Sequence, residues 1–458
     1  MLKQSVIISF LFISVISATN HSIAELSTQI HAQKVSEQLD AYMQALTKLN
    51  RFSGSVVVAK GNTILLNKGY GFASHEFEIP NTPQTRFRIC SITKMITAAA
   101  IMQLQERGLL QVSDSISKYL PDYPRGHEIT IHHLLTHTSG VSSGNMPLEM
   151  VVSPATLEQI ISFYKNEPLE YGPGADYRYS NAGYLLLSAI IERISGKSYT
   201  SFIKENILVP VNMHESFFRD CDYGILKNCA CGYCLNEINE LVNGHYVYEN
   251  FKGSGGLFCT AYDLYMFVQA LNTGGLMSKS SLQTMFTPYH NKENYGYGCH
   301  IDYLEKNKFI EHGGMLSSGF KSNVSVFIDD EIYIVILSNF FSAWVNETRD
   351  ALAAIMFGSP YDFPSNDAIK VDPVIYNDYT GTYDHPSFKS GYTIERKGDK
   401  LYVPENRELS PVAVDQFMAL NRNANNIVYK FIRNEKGHMV QLRIKGGGPY
   451  FEVRCDKL

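Results

Sequence analysis

The chain has 458 residues, of which 45% are hydrophobic and 19% charged, and it carries a formal net charge of −5. That length exceeds a single ordinary core, so two domains are expected, and the composition is that of soluble globular proteins. The acidic balance and the lack of a basic stripe argue against nucleic acid as a partner, and no internal apolar run is long enough to cross a bilayer.

Lys3 precedes an apolar run from Val6 to Ile16, too short to span a membrane and suited to the core of a signal peptide. Ser22-Ile23-Ala24 puts small residues at the −3 and −1 positions of a cleavage site. Residues 1–24 are therefore expected to be removed after Ala24, leaving a periplasmic or secreted protein with no stable membrane span. An uncleaved interfacial anchor is the alternative. From Glu25 to Asn50, Leu39, Tyr42, Met43 and Leu46 recur at helical spacing. Gly54 to Ala59 and Thr63 to Asn67 read as strands joined by Lys60-Gly61-Asn62. Ser91 to about Leu271 is mostly helical, cut by Pro and Gly loops. Strands return at Tyr297 to Asp302, Lys308 to Glu311, Asn323 to Ile328 and Ile332 to Ser338, and a helix from about Ala343 to Met356 ends at Gly358.

An antiparallel sheet built from both ends of residues 25–358, flanked by helices and carrying an all-helical lobe, is an α+β architecture. Residues 359–373 have the Pro, Asp and Ser of a linker. Residues 374–458 alternate in short runs split by Lys397-Gly398-Asp399 and Asn434-Glu435-Lys436-Gly437, which predicts a small all-β domain. Extra strands on the main sheet are the alternative. Eight cysteines suit an oxidising compartment, and Cys221, Cys229, Cys231 and Cys234 fall in one loop-like stretch. Disulfides are the preferred reading there; zinc bound by Cys229, Cys231 and Cys234 is the alternative.

Cys90-Ser91-Ile92-Thr93-Lys94 carries the chemistry. A serine hydroxyl is a poor nucleophile at neutral pH, and helical spacing of three residues lays the Lys94 amine beside Ser91. Ser-x-x-Lys also occurs at Ser115, Ser162, Ser201 and Ser318, so the pair alone is weak. What distinguishes Ser91 is the order that follows: Tyr179-Ser180-Asn181 ahead of an apolar helical run, then His312-Gly313-Gly314, the single His-x-Gly in the chain. These three elements resemble the active site of the serine β-lactamase and penicillin-binding-protein superfamily, and Tyr-x-Asn points to its class C branch, which also holds esterases and D-amino-acid peptidases. His133 to Gly140, Gly253-Ser254-Gly255-Gly256-Leu257 and Tyr295-Gly296-Tyr297-Gly298 look like the same family, over about Phe52 to Phe357. Tyr379-Thr380-Gly381-Thr382-Tyr383 is similar to the opening of the lipocalin-like domains that some members carry.

The resemblance implies a cofactor-free site in a cleft between sheet and helical lobe, acting on a small-molecule or peptide substrate. Ser91 is the nucleophile it implies. Tyr179 is the general base and acid if the neighbouring ammonium of Lys94 lowers its pKa, although sequence leaves open which of the two takes the proton. Asn181 is to hydrogen-bond Lys94 or a substrate amide, and the backbone N–H groups of Ser91 and Met315 are to hold the oxyanion. Gly313 and Gly314 are to let substrate backbone approach. Asn145 is to line the pocket. His312 departs from the lactamase pattern, which has lysine there, and a mostly neutral side chain favours an ester or peptide over a carboxylate-bearing β-lactam. Gly140-Val141-Ser142-Ser143-Gly144 also matches a nucleophile elbow, but it lacks the strand before and the helix after that such an elbow needs, so Ser142 is expected in a loop. The expectation is an exported serine acyl hydrolase. The alternatives are a β-lactamase or DD-carboxypeptidase, and a non-catalytic penicillin-recognition protein.

Overall fold

The computed structural model describes residues 29–142, 150, 153, 155–219, 225–236, 240–244, 250–290, 293–364 and 372–457, apart from 386–390, 405–406, 414, 421–425, 435 and 446–451. The expected signal segment, Cys221 and Asn145 lie outside the described residues.

In chain order the first region holds helix α1 (29–48), strands β1 (Gly54–Lys60) and β2 (Thr63–Tyr70), and helices α2 (Thr93–Glu106), α3 (Ile131–Leu135), α4 (Leu157–Lys165), α5 (Asn181–Ser195) and α6 (Ala261–Asn272). Strands β3 (His300–Leu304), β4 (Asn307–Leu316), β5 (Phe320–Phe327) and β6 (Ile332–Ser338) follow, then helix α7 (Val345–Phe357). The sheet runs β3-β4-β5-β6-β1-β2, so strands from both ends of this region join where β1 pairs antiparallel with β6, Gly54 opposite Ser338 and Lys60 opposite Ile332. Period-two geometry sorts the side chains. Val56, Val58, Ile332, Ile334 and Ile336 pack with Leu39, Met43 and Leu352 of α1 and α7, whereas Val57, Ala59, Tyr333, Val335 and Leu337 face the core around α2. Both faces are covered, which is why these strands read as continuous apolar runs. Helix α2 is buried along its whole length from Thr93 to Leu104 at the centre of the helical side.

The expected strand at 297–302 begins later, at His300, because Gly298 turns the chain in the left-handed region (φ +74°) and a Cβ there would sit 2.7 Å from the Lys94 carbonyl oxygen. The expected strand at 308–311 continues to Leu316. Its glycines look like breakers, yet β5 pairs with it throughout, from Phe309 opposite Phe327 to Leu316 opposite Phe320.

Beyond the sheet, strands β7 (Gly381–Asp384), β8 (Tyr392–Lys397), β9 (Lys400–Val403), β10 (Arg407–Ala413), β11 (Gln416–Leu420), β12 (Asn426–Arg433), β13 (Met439–Lys445) and β14 (Glu452–Lys457) pair in chain order. β7 meets β14, closing a barrel separate from the main sheet. Tyr379, Tyr383, Phe417, Tyr429, Phe431 and Leu442 fill its core. The preferred disulfide reading is not met at Cys231 and Cys234, which are free thiols, as are Cys259, Cys299 and Cys455. Within the clustered stretch the thiols are turned to different backbone carbonyls, Cys229 to Lys227 and Cys234 to Ser317. No helix among the described residues is long and apolar enough to cross a membrane.

Candidate active site

Ser91 lies in a one-turn 3₁₀ segment, Cys90–Ile92, that leads directly into α2, rather than in the α-helix itself. Cys90 enters the turn with φ +52°, the left-handed conformation that non-glycine residues seldom take. The turn rests against β4. A Cβ on Gly314 would lie 2.2 Å from the Ile89 carbonyl oxygen and 2.9 Å from Cys90 Cβ, so residue 314 must be glycine for the turn to seat. On this face the space beside Gly314 is filled by the chain's own serine turn.

One turn on, Lys94 is fully buried. Its Nζ stands 3.1 Å from Ser91 Oγ, 2.7 Å from Asn181 Oδ1 and 2.7 Å from the Ser254 carbonyl oxygen. Burial takes its pKa well below the ordinary 10.5. In all three contacts the amine donates, to the Ser91 hydroxyl, the Asn181 side-chain oxygen and the Ser254 carbonyl. Asn181 is held there by the cap of α5, where Ser180 Oγ accepts from the Gly183 N–H at 3.2 Å.

Tyr179, the residue before that cap, lies with its ring face 4.7 Å from Lys94 Nζ. Ser91 lies near enough to its hydroxyl to act on its pKa. The expected depression of its pKa does not occur. Burial raises it above 10, and the nearby Ser91 hydroxyl offsets this only in part. Burial thus lowers the proton affinity of Lys94 and raises that of the Tyr179 phenolate.

His312 is fully buried beside this group. Its Nδ1 is 2.6 Å from the Gly313 carbonyl oxygen and its Nε2 is 3.1 Å from the Tyr295 hydroxyl. Nδ1 therefore carries the proton and Nε2 accepts from tyrosine. Burial, then the nearby Lys94 and His300, hold its pKa well below 6.5. His300 is pushed down to about 4 by burial, and His137 falls well below 6.5 for the same reason. The wall behind the serine is thus neutral and aromatic. On the far face of β4, Glu311 is paired with Arg349 of α7 and accepts from Asn323 Nδ2 at 2.9 Å. Gly313 and Met315 alternate onto that same far face, and β3 pairs with β4 only as far as Glu311. No other strand among the described residues pairs with that edge beyond it.

Ser91, Lys94, Tyr179, Asn181, His312 and Gly314 are thus brought together. Ser142 sits in irregular chain, its carbonyl accepting from Ser180 Oγ. Sequence reasoning gave no role to the Ser254 carbonyl, His137, Tyr295 or His300, although three of these lie in stretches already noted as family-like. Their contributions are a backbone oxygen and buried ring contacts, which no residue pattern encodes.

Residues 37–355 match the Beta-lactamase family. Penicillin-binding protein 4* of Bacillus subtilis (strain 168) is 31% identical over 381 residues, covering 77% of this chain and 83% of that protein. The teichoic acid D-alanine hydrolase of Staphylococcus aureus (strain MRSA252) is 26% identical over 305 residues, covering 66% of this chain and 72% of its own. Among solved structures, the octameric penicillin-binding protein homologue from Pyrococcus abyssi shares the fold, with a TM-score of 0.64 at 24% identity over 92% of this chain and 99% of that one. The chain belongs to the β-lactamase family of serine hydrolases, together with the penicillin-binding proteins.

Proposed function

We propose that the protein is an exported serine acyl hydrolase that forms an acyl-enzyme on Ser91. The observation that carries this reading is the buried Lys94 amine, 3.1 Å from Ser91 Oγ and fixed by two oxygen acceptors. As Ser91 Oγ bonds to the acyl carbon, its proton passes to Lys94 Nζ. The carbonyl oxygen becomes an oxyanion held by the Ser91 and Met315 N–H groups, the latter on the uncovered edge of β4; one such donor contributes about 3 kcal/mol. Collapse expels the leaving group, which takes a proton from Tyr179, and Lys94 returns one to the phenol. Water then repeats the sequence on the ester, freeing the acid and Ser91.

The substrate we assign is an ester or amide of a small amino acid such as D-alanine, the residue named in the Staphylococcus relative. A D-alanyl ester bears an ammonium and no free carboxylate, and His312, with both ring nitrogens engaged inside the protein, offers a carboxylate neither charge nor a donor. The same observation disfavours a β-lactamase or DD-carboxypeptidase, and a purely recognition role leaves the buried amine beside Ser91 without a purpose. The assignment to the class C branch, removal of residues 1–24, a hydrolase domain at 25–358, a linker at 359–373 and a lipocalin-like domain at 374–458 belong to the same proposal. An eight-stranded barrel in chain order supports the last.

The test is hydrolysis of a short-chain p-nitrophenyl ester with fluorophosphonate labelling in parallel. Ser91→Ala is expected to lower kcat by about three orders of magnitude or more and to abolish labelling, while Ser142→Ala stays within about threefold. If Ser142→Ala is the inactive variant, Ser91 is not the nucleophile. Cephalosporin turnover near the diffusion limit of about 10⁸ M⁻¹s⁻¹ would return the lactamase reading.

A further inference from the structure

His137 is fully buried and adopts φ +58°, the left-handed conformation. Its position is unusual for a packed ring, because it holds the chain on both sides of Tyr179. The His137 carbonyl accepts from the Arg178 N–H at 2.9 Å, and its Nδ1 accepts from the Ser180 N–H at 3.1 Å. Between these anchors the imidazole lies against the Tyr179 ring, with centroids 4.3 Å apart and planes tilted by 38°. The Tyr171 hydroxyl also donates to the His137 carbonyl, at 3.1 Å. Because Nδ1 accepts, the ring proton sits on Nε2, a buried nitrogen with no protein acceptor among the described residues. One ring nitrogen is thus committed to the Ser180 amide, and the other contributes no hydrogen bond.

We propose that His137 is a positioning residue for the acyl-transfer reaction. It clamps Arg178-Tyr179-Ser180 so that the Tyr179 ring stands over Lys94 Nζ and the Ser180 cap delivers Asn181 to Lys94. This rests on the Ser91–Lys94–Tyr179 reading above. The left-handed backbone is part of the device, since it is what turns both the carbonyl and Nδ1 of one residue toward the same passing segment. A displacement of about 1 Å in that segment is enough to cost a hundredfold in rate without changing what the cleft binds.

The test compares His137→Asn, His137→Phe and His137→Ala in the full chain, with Ser91→Ala alongside. Asparagine tolerates the left-handed region and places Oδ1 where Nδ1 accepts, whereas phenylalanine keeps the ring and leaves the Ser180 N–H unpaired. Phe and Ala are expected to lower kcat for the p-nitrophenyl ester by about tenfold to a hundredfold with KM within threefold, and Asn to recover kcat to within about threefold. Thermal midpoints are read for all, and the Asn–Phe pair decides the matter even if Ala does not fold. Equal loss in Asn and Phe, or full kcat in Phe, overturns the clamp. Activity persisting in Ser91→Ala overturns the catalytic reading, and the clamp with it.

Discussion

Lys94 and Tyr179 are both buried, yet burial acts on them in opposite senses: it drives the lysine toward its neutral form and the tyrosine toward its protonated form. Burial thus favours in each the state that acylation needs, an amine that accepts and a phenol that donates. The pH dependence follows. Catalysis requires neutral Lys94, so the ester rate is expected to rise with pH through an inflection below the ordinary lysine value of 10.5. Stability moves in the same direction, because between the two values the unfolded chain holds a proton that the native one has released. Lys94→Ala should remove the inflection and lower kcat about a hundredfold or more; Tyr179→Phe should lower kcat comparably and keep the inflection. The double variant should lose much less than the sum, since the two form one proton-handling unit. An inflection that vanishes with Tyr179→Phe alone would make tyrosine the base. The identities of Ser91, Lys94, Tyr179 and Asn181 were legible from spacing and order. Their protonation was not, because it depends on what Ser254, Tyr184 and the α5 cap wrap around the amine, and those contacts join residues far apart in the chain.

At the scale of elements, β4 is the strand whose two faces do different jobs. Gly314 and His312 face the serine turn, while Glu311 and Phe309 face α7, where Arg349 reaches back to the Glu311 carboxylate. Burial opposes the charge on Glu311, but Arg349 and the amide of Asn323 hold its pKa below the ordinary value. Removing only the cation strands a buried carboxylate. Arg349→Met is expected to cost about 3–5 kcal/mol in urea denaturation, whereas Arg349→Met with Glu311→Gln should recover most of that loss. A double variant as unstable as the single one would show that packing, not charge, joins α7 to β4. Strand β6 was read with its observed ends and β1 to within a residue, because their apolar runs are set by burial on both faces. β4 was read short for the opposite reason: Gly313 and Gly314 lower strand propensity locally, and only the turn at Cys90, more than two hundred positions away, explains why they are strand residues.

For the molecule as a whole, the buried cores fall into two sets that share no residue. Those on either side of the main sheet end, among buried side chains, at Ile355, and the barrel's begins at Tyr376. Within the barrel the Tyr392 and Tyr429 hydroxyls meet at 2.9 Å and the Tyr383 hydroxyl donates to the Tyr379 carbonyl at 2.9 Å. A barrel of eight strands is just wide enough to be filled by such side chains. Each set thus has its own apolar interior, which is the condition for folding independently. Every residue assigned to catalysis precedes Gly358. A chain stopped at Pro364 is therefore expected to fold, to label with fluorophosphonate at Ser91, and to hydrolyse the p-nitrophenyl ester with kcat within about threefold of the full chain. Calorimetry of the full chain should show two transitions, of which the truncated protein keeps one. A single transition in the full chain, with loss of folding on truncation, would mean that the barrel completes the hydrolase core rather than following it, and the boundary at residues 359–373 would have to be given up.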